Sequence, residues 1–409
     1  MSKMGLEIKK RIGNKKASRF TFQNMLRCLE DPEHPSAGPY LRFLNLTGNW
    51  HPNMELKSTR FKQLVFYITM TLFFSQYLKC VIGLSLSAFL FILQTAPFHM
   101  GTPKTIYFRR DHHLWQKLID YISRTELRQL SDEDEEVIDV MDEYIRKSRR
   151  VIYLYWLMAI SCNISLFTEP YKKNQIVENG TDIYVPLFHF YLPFNQDIPP
   201  GYYYSMVLQT ILGNIMSSYV ISWDSLVIST FIFFAGQLKI SRVYCTKIID
   251  SKSKERSHEN IIKCHRFHTS LIEHQKLFQK LISSVMFLYL IVVSINIGSC
   301  LIQISRFSGD LPVMMGAMIF VFGILVQLLT FYWFSNQVTV ESLSVSSGIF
   351  ESKWTTMDAK TQKEVALLQL TTSNRLCFRA GPCNEMSLNT FIGILKTSYS
   401  FLTLLKGTK

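Results

Sequence analysis

The chain has 409 residues, of which 48% are hydrophobic, 13% aromatic and only 18% charged, with a net charge of +13. The charges cluster and long blocks carry none, which excludes a soluble domain with one large core and marks an all-α polytopic membrane protein. The basic residues sit between hydrophobic segments rather than on one basic domain, which excludes nucleic acid as the partner.

Residues 1–60 are polar and basic and lack the apolar stretch of a signal peptide, so the first membrane helix is expected to act as its own insertion signal. Within them, LRFLNLTGNWHP (Leu41–Pro52) predicts a short helix against the membrane surface. Seven apolar runs of near-spanning length follow, at about 61–78, 81–98, 151–168, 203–224, 281–303, 312–335 and 387–405. Tyr77–Cys80 alone separates the first two and reads as a tight outer turn. Of the 44 Lys and Arg, 36 fall in segments 1–60, 99–150, 237–280 and 338–386, and six in the alternate set. The positive-inside rule then puts the N-terminus in the cytosol and, after seven spans, the C-terminus outside. A G-protein-coupled receptor has the reverse orientation.

Asn45-Leu46-Thr47 matches a glycosylation sequon but lies on the cytosolic side, so it is expected to be unused. Asn179-Gly180-Thr181 lies in the long outer loop and marks Asn179 as a glycan acceptor. The aromatic run Pro186–Tyr204 beside it reads either as an interfacial belt or as a lid over a pocket. Below the membrane, Ser131 with Asp132–Glu136 reads as the capped, acidic start of a helix that continues into span three. Span four keeps a helical pattern to about Gln237, and residues 237–280 read as two helices packed beneath the membrane. The 338–386 segment reads likewise.

The eight Cys form no CxxC pair, and Cys264, His265 and His268 lack the carboxylates to complete a metal site. Cys80, Cys162 and Cys300 fall toward the outer side, where spacing leaves a disulfide open. No phosphate loop, nucleophile elbow or other enzymatic constellation appears, and no cofactor is expected. Asp224, at the foot of span four, is either a structural hydrogen-bond or salt-bridge partner or a functional ionisable site. Lys396 in the last helix either snorkels or pairs with an acid. The outer halves of spans two to six offer Leu, Ile, Met and Phe with scattered polar groups, which suits a small neutral apolar molecule.

The last stretch, Met386–Lys409, reads as one helix with two faces. Leu388, Phe391, Ile392, Leu395, Tyr399, Leu402 and Leu405 form the apolar stripe, opposite Gly393, Thr397, Ser400, Thr403, Leu404 and Gly407. A hydroxyl stripe in a membrane helix faces either a neighbouring helix or a water-filled path.

Three stretches resemble the insect odorant receptor family: Ser387–Leu405 (SLNTFIGILKTSYSFLTLL), Tyr191–Gln209 (YLPFNQDIPPGYYYSMVLQ) and Leu41–Pro52. Length, seven spans and inverted topology agree. The resemblance implies an odour-tuned subunit of a non-selective channel for monovalent and divalent cations. Such subunits form a heterotetramer with a co-receptor subunit and bind small, neutral, volatile odorants, embedded in plasma-membrane lipid, by the family's role that of a sensory neuron dendrite. It further implies a pore lined by Thr397, Ser400, Thr403, Leu404, Gly407 and Thr408. By helix position it implies a ligand pocket at Ile160, Asn163, Ile164, Phe167, Met206, Thr210, Met315 and Met318. The organisation that follows is a cytosolic segment over 1–60, helices one to six with the pocket over 61–336, cytosolic anchor helices over 337–386, and the pore helix with its outer tail over 387–409. A gustatory-type channel and a metabotropic seven-span receptor are the alternatives.

Overall fold

The computed structural model describes residues 29–50, 57–83, 96–132, 134–173, 177–178, 181–182, 187–188, 190–194, 199–306, 311–382 and 384–407. Its helices are α1 (Gly38–Leu46), α2 (Lys57–Gly83), α3 (Gly101–Arg110), α4 (His112–Ser131), α5 (Glu135–Lys173), α6 (Gly201–Thr246), α7 (Lys254–Arg306), α8 (Leu311–Glu351), α9 (Ala359–Thr372) and α10 (Leu388–Gly407). Two antiparallel pairs of two-residue strands accompany them: β1 (Val177–Glu178) with β2 (Thr181–Asp182), and β3 (Arg379–Ala380) with β4 (Asn384–Glu385). The protein is therefore all-α, as its composition required. Four of its described helical segments are long and apolar enough to cross a membrane: Glu135–Thr168, Gly201–Thr246, Lys254–Gly298 and Met318–Thr356.

The other elements are arranged about α6. Every residue from Tyr219 to Leu238 is buried, as expected for a helix apolar on all sides, and α5 and α8 pack along it. Its 46 residues reach roughly 70 Å at ~1.5 Å per residue. The helix thus ends at Thr246, nine residues beyond the end read at Gln237, and α7 begins at Lys254. Glycine permits close approach of backbones: a Cβ at Gly348 of α8 would lie 2.5 Å from the Arg242 carbonyl oxygen of α6.

Several boundaries differ from the sequence reading. No turn occurs at Tyr77–Cys80, because α2 runs unbroken to Gly83. The stretch holds no Gly, Pro, Asn or Asp to favour one, and the first glycine is Gly83 itself. Residues 84–95 of the second expected span lie outside the described residues. Its tail, Phe98, packs on Phe73 of α2 and Phe188 of the outer loop, and Gly101 abuts Met216 of α6. The segment that follows α6 is therefore 96–110, past the end read at residue 98 and through Lys104. Ser131 ends α4 instead of starting α5, its hydroxyl donating to the Arg128 carbonyl, and Asp134 caps α5 by accepting the Glu136 N–H at 3.2 Å. α1 ends at Leu46, with Tyr40, Leu41 and Leu44 turned into the core.

Beneath the expected membrane layer, Glu126 of α4 joins the N-terminal segment to α5. Its carboxylate accepts the Ser36 N–H at 3.0 Å and the Tyr144 hydroxyl at 2.9 Å, and it is fully buried. Burial pushes its pKa from 4.5 to about 7, against the stabilising hydrogen bonds from Ser36 and Tyr144. A raised acid pKa stabilises the fold below the unfolded value and is lost as pH rises toward 7. Stability is therefore expected to fall between pH 4.5 and 7 by on the order of 3 kcal/mol from this group, and Glu126→Gln is expected to flatten that fall. His268, whose pKa burial lowers to about 4, acts oppositely. The difference between wild-type and variant melting temperatures across pH 5–8 isolates Glu126, and parallel curves would refute the assignment.

Candidate functional site

At the end of the helices expected to face outward, residues from five segments converge in one aromatic cluster. α2 contributes Phe66 and Phe73, the 96–99 turn Phe98, α5 Phe167, α6 Met206, Leu212 and Met216, and the outer loop Phe188 and Phe190. Phe73 lies edge-on to Phe188 and Phe190, each at 5.1 Å, a geometry worth about 0.5–1.5 kcal/mol per pair beyond burial. Gln209 of α6 fixes the loop: its side chain accepts the Phe188 N–H at 2.7 Å and donates to the Phe188 carbonyl at 2.8 Å. Gly213 leaves room for Phe167, since a Cβ there would lie 2.5 Å from that ring.

The structure brings two of the residues expected at the pocket, Phe167 and Met206, into this cluster. Asn163 of α5 donates to Ser217 of α6 at 2.8 Å, and Thr210 donates to the Met206 carbonyl at 2.8 Å. Ile160, Ile164 and Met318 are 53%, 60% and 44% exposed in the single chain. Met315 lies on α8 with its backbone alone described, and Asn179 lies outside the described residues. Phe98, His99 and Gln76 were missed, whereas Phe188 lies in the Pro186–Tyr204 run that offered a lid. The PFHM sequence at 97–100 was an available aromatic signal, but it fell at a span boundary.

Below the cluster lies a buried ion pair. Lys104 of α3 donates to Asp224 of α6 at 2.5 Å, both side chains being fully buried. The Tyr155 hydroxyl of α5 and the Gln327 amide of α8 donate to the other Asp224 oxygen, each at 2.6 Å. Lys104 also lies over the rings of Trp223 and Tyr289 at 5.1 and 5.0 Å. Asp224 thus has the salt-bridge role that its sequence position allowed.

The last helix is tied at its base. Gln279 of α7 exchanges two hydrogen bonds with the Arg379 main chain, at 2.9 and 2.8 Å, and Tyr332 of α8 donates to Asn384 at 2.8 Å. From there Phe391 and Ile394 of α10 pack on the core. Its other face is open in the single chain: Gly393 would accept a Cβ with nothing within 4 Å, and Lys396, Thr397 and Ser400 are exposed. Thr397 and Ser400 donate to the helix's own carbonyls at 2.9 and 3.0 Å. Ile392, grouped by sequence with the apolar stripe, is 48% exposed, because no described element of the chain covers that side. Thr403, Leu404 and Gly407 lie on the helix with backbone alone described, and Thr408 lies outside the described residues. Among the described residues no cluster of three or more His, Cys, Asp or Glu is placed to hold a metal.

This helical architecture is that of a membrane receptor. The family model described as 7tm Odorant receptor matches residues 85–399, and the chain belongs to that family. It is 22% identical over 318 residues to Odorant receptor 10 of Aedes albopictus, covering 74% of this chain and 80% of that one. It is 25% identical over 144 residues to Odorant receptor Or2 of Anopheles gambiae, covering 35% of this chain and 38% of that one. The insect olfactory receptor OR5 from Machilis hrabei, solved in complex with eugenol, superposes with a TM-score of 0.73 at 12% identity, covering 90% of this chain and 97% of that one. The resemblance read from the three sequence stretches is thereby borne out at the level of family and fold.

Proposed function

We propose that this chain is the odour-tuned subunit of a ligand-gated cation channel. It binds a small neutral odorant in its outer half and opens a pore shared with co-receptor subunits, in the plasma membrane of a sensory neuron. The observation that carries this reading is the asymmetry of α10. One face is fixed to the core through Phe391 and Ile394, while Gly393, Thr397 and Ser400 are exposed. A membrane helix with an open small-and-hydroxyl face needs neighbouring helices or water on that side, which four copies around an axis supply. Thr397, Ser400, Thr403, Leu404, Gly407 and Thr408 line the pore in this reading, and the cytosolic extensions of α6, α7 and α8 with α9 form the anchor between subunits. Seven crossings with an outer C-terminus complete it.

The test is current evoked by a panel of neutral volatiles in cells expressing the chain alone or with a co-receptor subunit, with G-protein signalling blocked. A fast current in paired cells is expected. Leu404→Ala is expected to shift basal current or ion permeability at unchanged surface expression. A response abolished by the block, or a Leu404→Ala channel identical to wild type, would overturn the reading.

A further inference from the structure

Two polar atoms at the outer cluster have no partner. Gln76 Oε1 and His99 Nε2 are buried without a hydrogen bond, on side chains 3% and 7% exposed. Unmade bonds of buried groups are costly, and native folds keep few of them. Gln76 continues the buried stripe of α2 formed by Phe66, Thr69 and Phe73. The His99 ring lies 5.1 Å from Phe73 and 5.2 Å from Tyr77, the residues that flank Gln76 on that face. Phe188 of the outer loop borders both Phe73 and His99. Two unsatisfied polar groups therefore border one aromatic-walled cluster, beside the Phe167 and Met206 of the expected pocket.

We propose that Gln76 and His99 recognise the hydroxyl group of a neutral alcohol or phenol; this rests on the odorant-gated reading. A hydroxyl carries one donor and two lone pairs. It can donate to Gln76 Oε1 while accepting from a protonated His99 Nε2. An amide turned the other way would present a donor, and a hydroxyl satisfies that as well. A ketone, ester or ether only accepts and leaves the Gln76 oxygen unmade, and a hydrocarbon leaves both. A cationic amine has no carboxylate to meet among the described members of the cluster. Phe73, Phe98 and Phe188 supply the apolar walls for the rest of the molecule. Both polar atoms are covered in the closed form, so entry requires the Phe73 and Phe188 rings to part. The loop that carries Phe188 is held to α2 by the bond from the Tyr191 N–H to Ser75 at 3.3 Å and to α6 by Gln209.

The experiment uses matched pairs of primary alcohols or phenols and their methyl ethers. It measures half-maximal concentrations for current in cells with the co-receptor, and heat stabilisation of the purified chain by the same compounds. In wild type the alcohols are expected to be at least about tenfold more potent than their ethers. Gln76→Leu and His99→Phe, which keep volume, are expected to bring the ratio near one at unchanged surface expression, and His99→Gln to retain most of the preference. A ratio unaltered in both variants would mean that the two atoms serve packing or an ordered water, and would overturn the proposal. Ethers that gate or stabilise where alcohols do neither overturn it too, as does an absence of stabilisation by every alcohol. Stabilisation by alcohols without any current leaves the hydroxyl site standing and counts against the channel reading instead.

Discussion

Asp224→Ala is expected to remove the receptor from the cell surface. The substitution leaves Lys104 charged and fully buried, and strips the Tyr155 hydroxyl and Gln327 amide of their shared acceptor. Breaking a buried pair from one side costs roughly 3–5 kcal/mol, a large fraction of the ~5–15 kcal/mol that holds a domain together. Asp224→Asn keeps the geometry but not the charge, and is expected to fall between. The double variant Lys104→Met with Asp224→Leu removes both charges, and is expected to restore much of the surface signal. Surface labelling against total expression measures this, with melting of the purified protein beside it. Wild-type levels of Asp224→Ala would show that the pair contributes little, and a double variant no better than the single would refute the unpaired-charge argument.

Gln209→Leu is expected to have the second largest effect, and its effect falls on ligand response. Leucine removes both partners of the Phe188 main chain and the bond to Ser205 at 2.7 Å. Two buried main-chain groups left unmet cost roughly 2–6 kcal/mol together. The loop carrying Phe188 and Phe190 would then leave the cluster, exposing Phe73 and Phe98. Half-maximal ligand concentration is expected to rise at least about tenfold while basal current is kept, because α10 is braced elsewhere by Gln279 and Tyr332. Gln209→Glu keeps the acceptor for the Phe188 N–H and is expected to be milder. Concentration–response curves at matched surface expression decide it; an unchanged midpoint would mean that the loop does not cover the ligand site.

The sequence by itself determined the class of the protein. Long charge-free runs are costly to leave in water, so helices and a membrane followed from composition and order alone, and the charge count supplied only the expected orientation. The stretch Ser387–Leu405 carried the resemblance to the family through its own residues, SLNTFIGILKTSYSFLTLL. The continuity of α5 from its acidic start into span three was legible for the same local reason. Of the residues expected at a pocket, Phe167 and Met206 reach the aromatic cluster while Ile160 and Ile164 are exposed in the single chain, since helix position alone does not fix which face meets a neighbour.

Tertiary structure decided everything that depends on cancellation between distant residues. Lys104 lies beyond the apolar run read at 81–98, yet it is buried because Asp224, 120 positions away, neutralises it. No local property of either residue reveals that pairing. The seating of Phe188 on Gln209 and that of Phe98 against Phe73 have the same origin. Each depends on which segments pack side by side, which is set by the summed burial of many side chains and not by the order of a few.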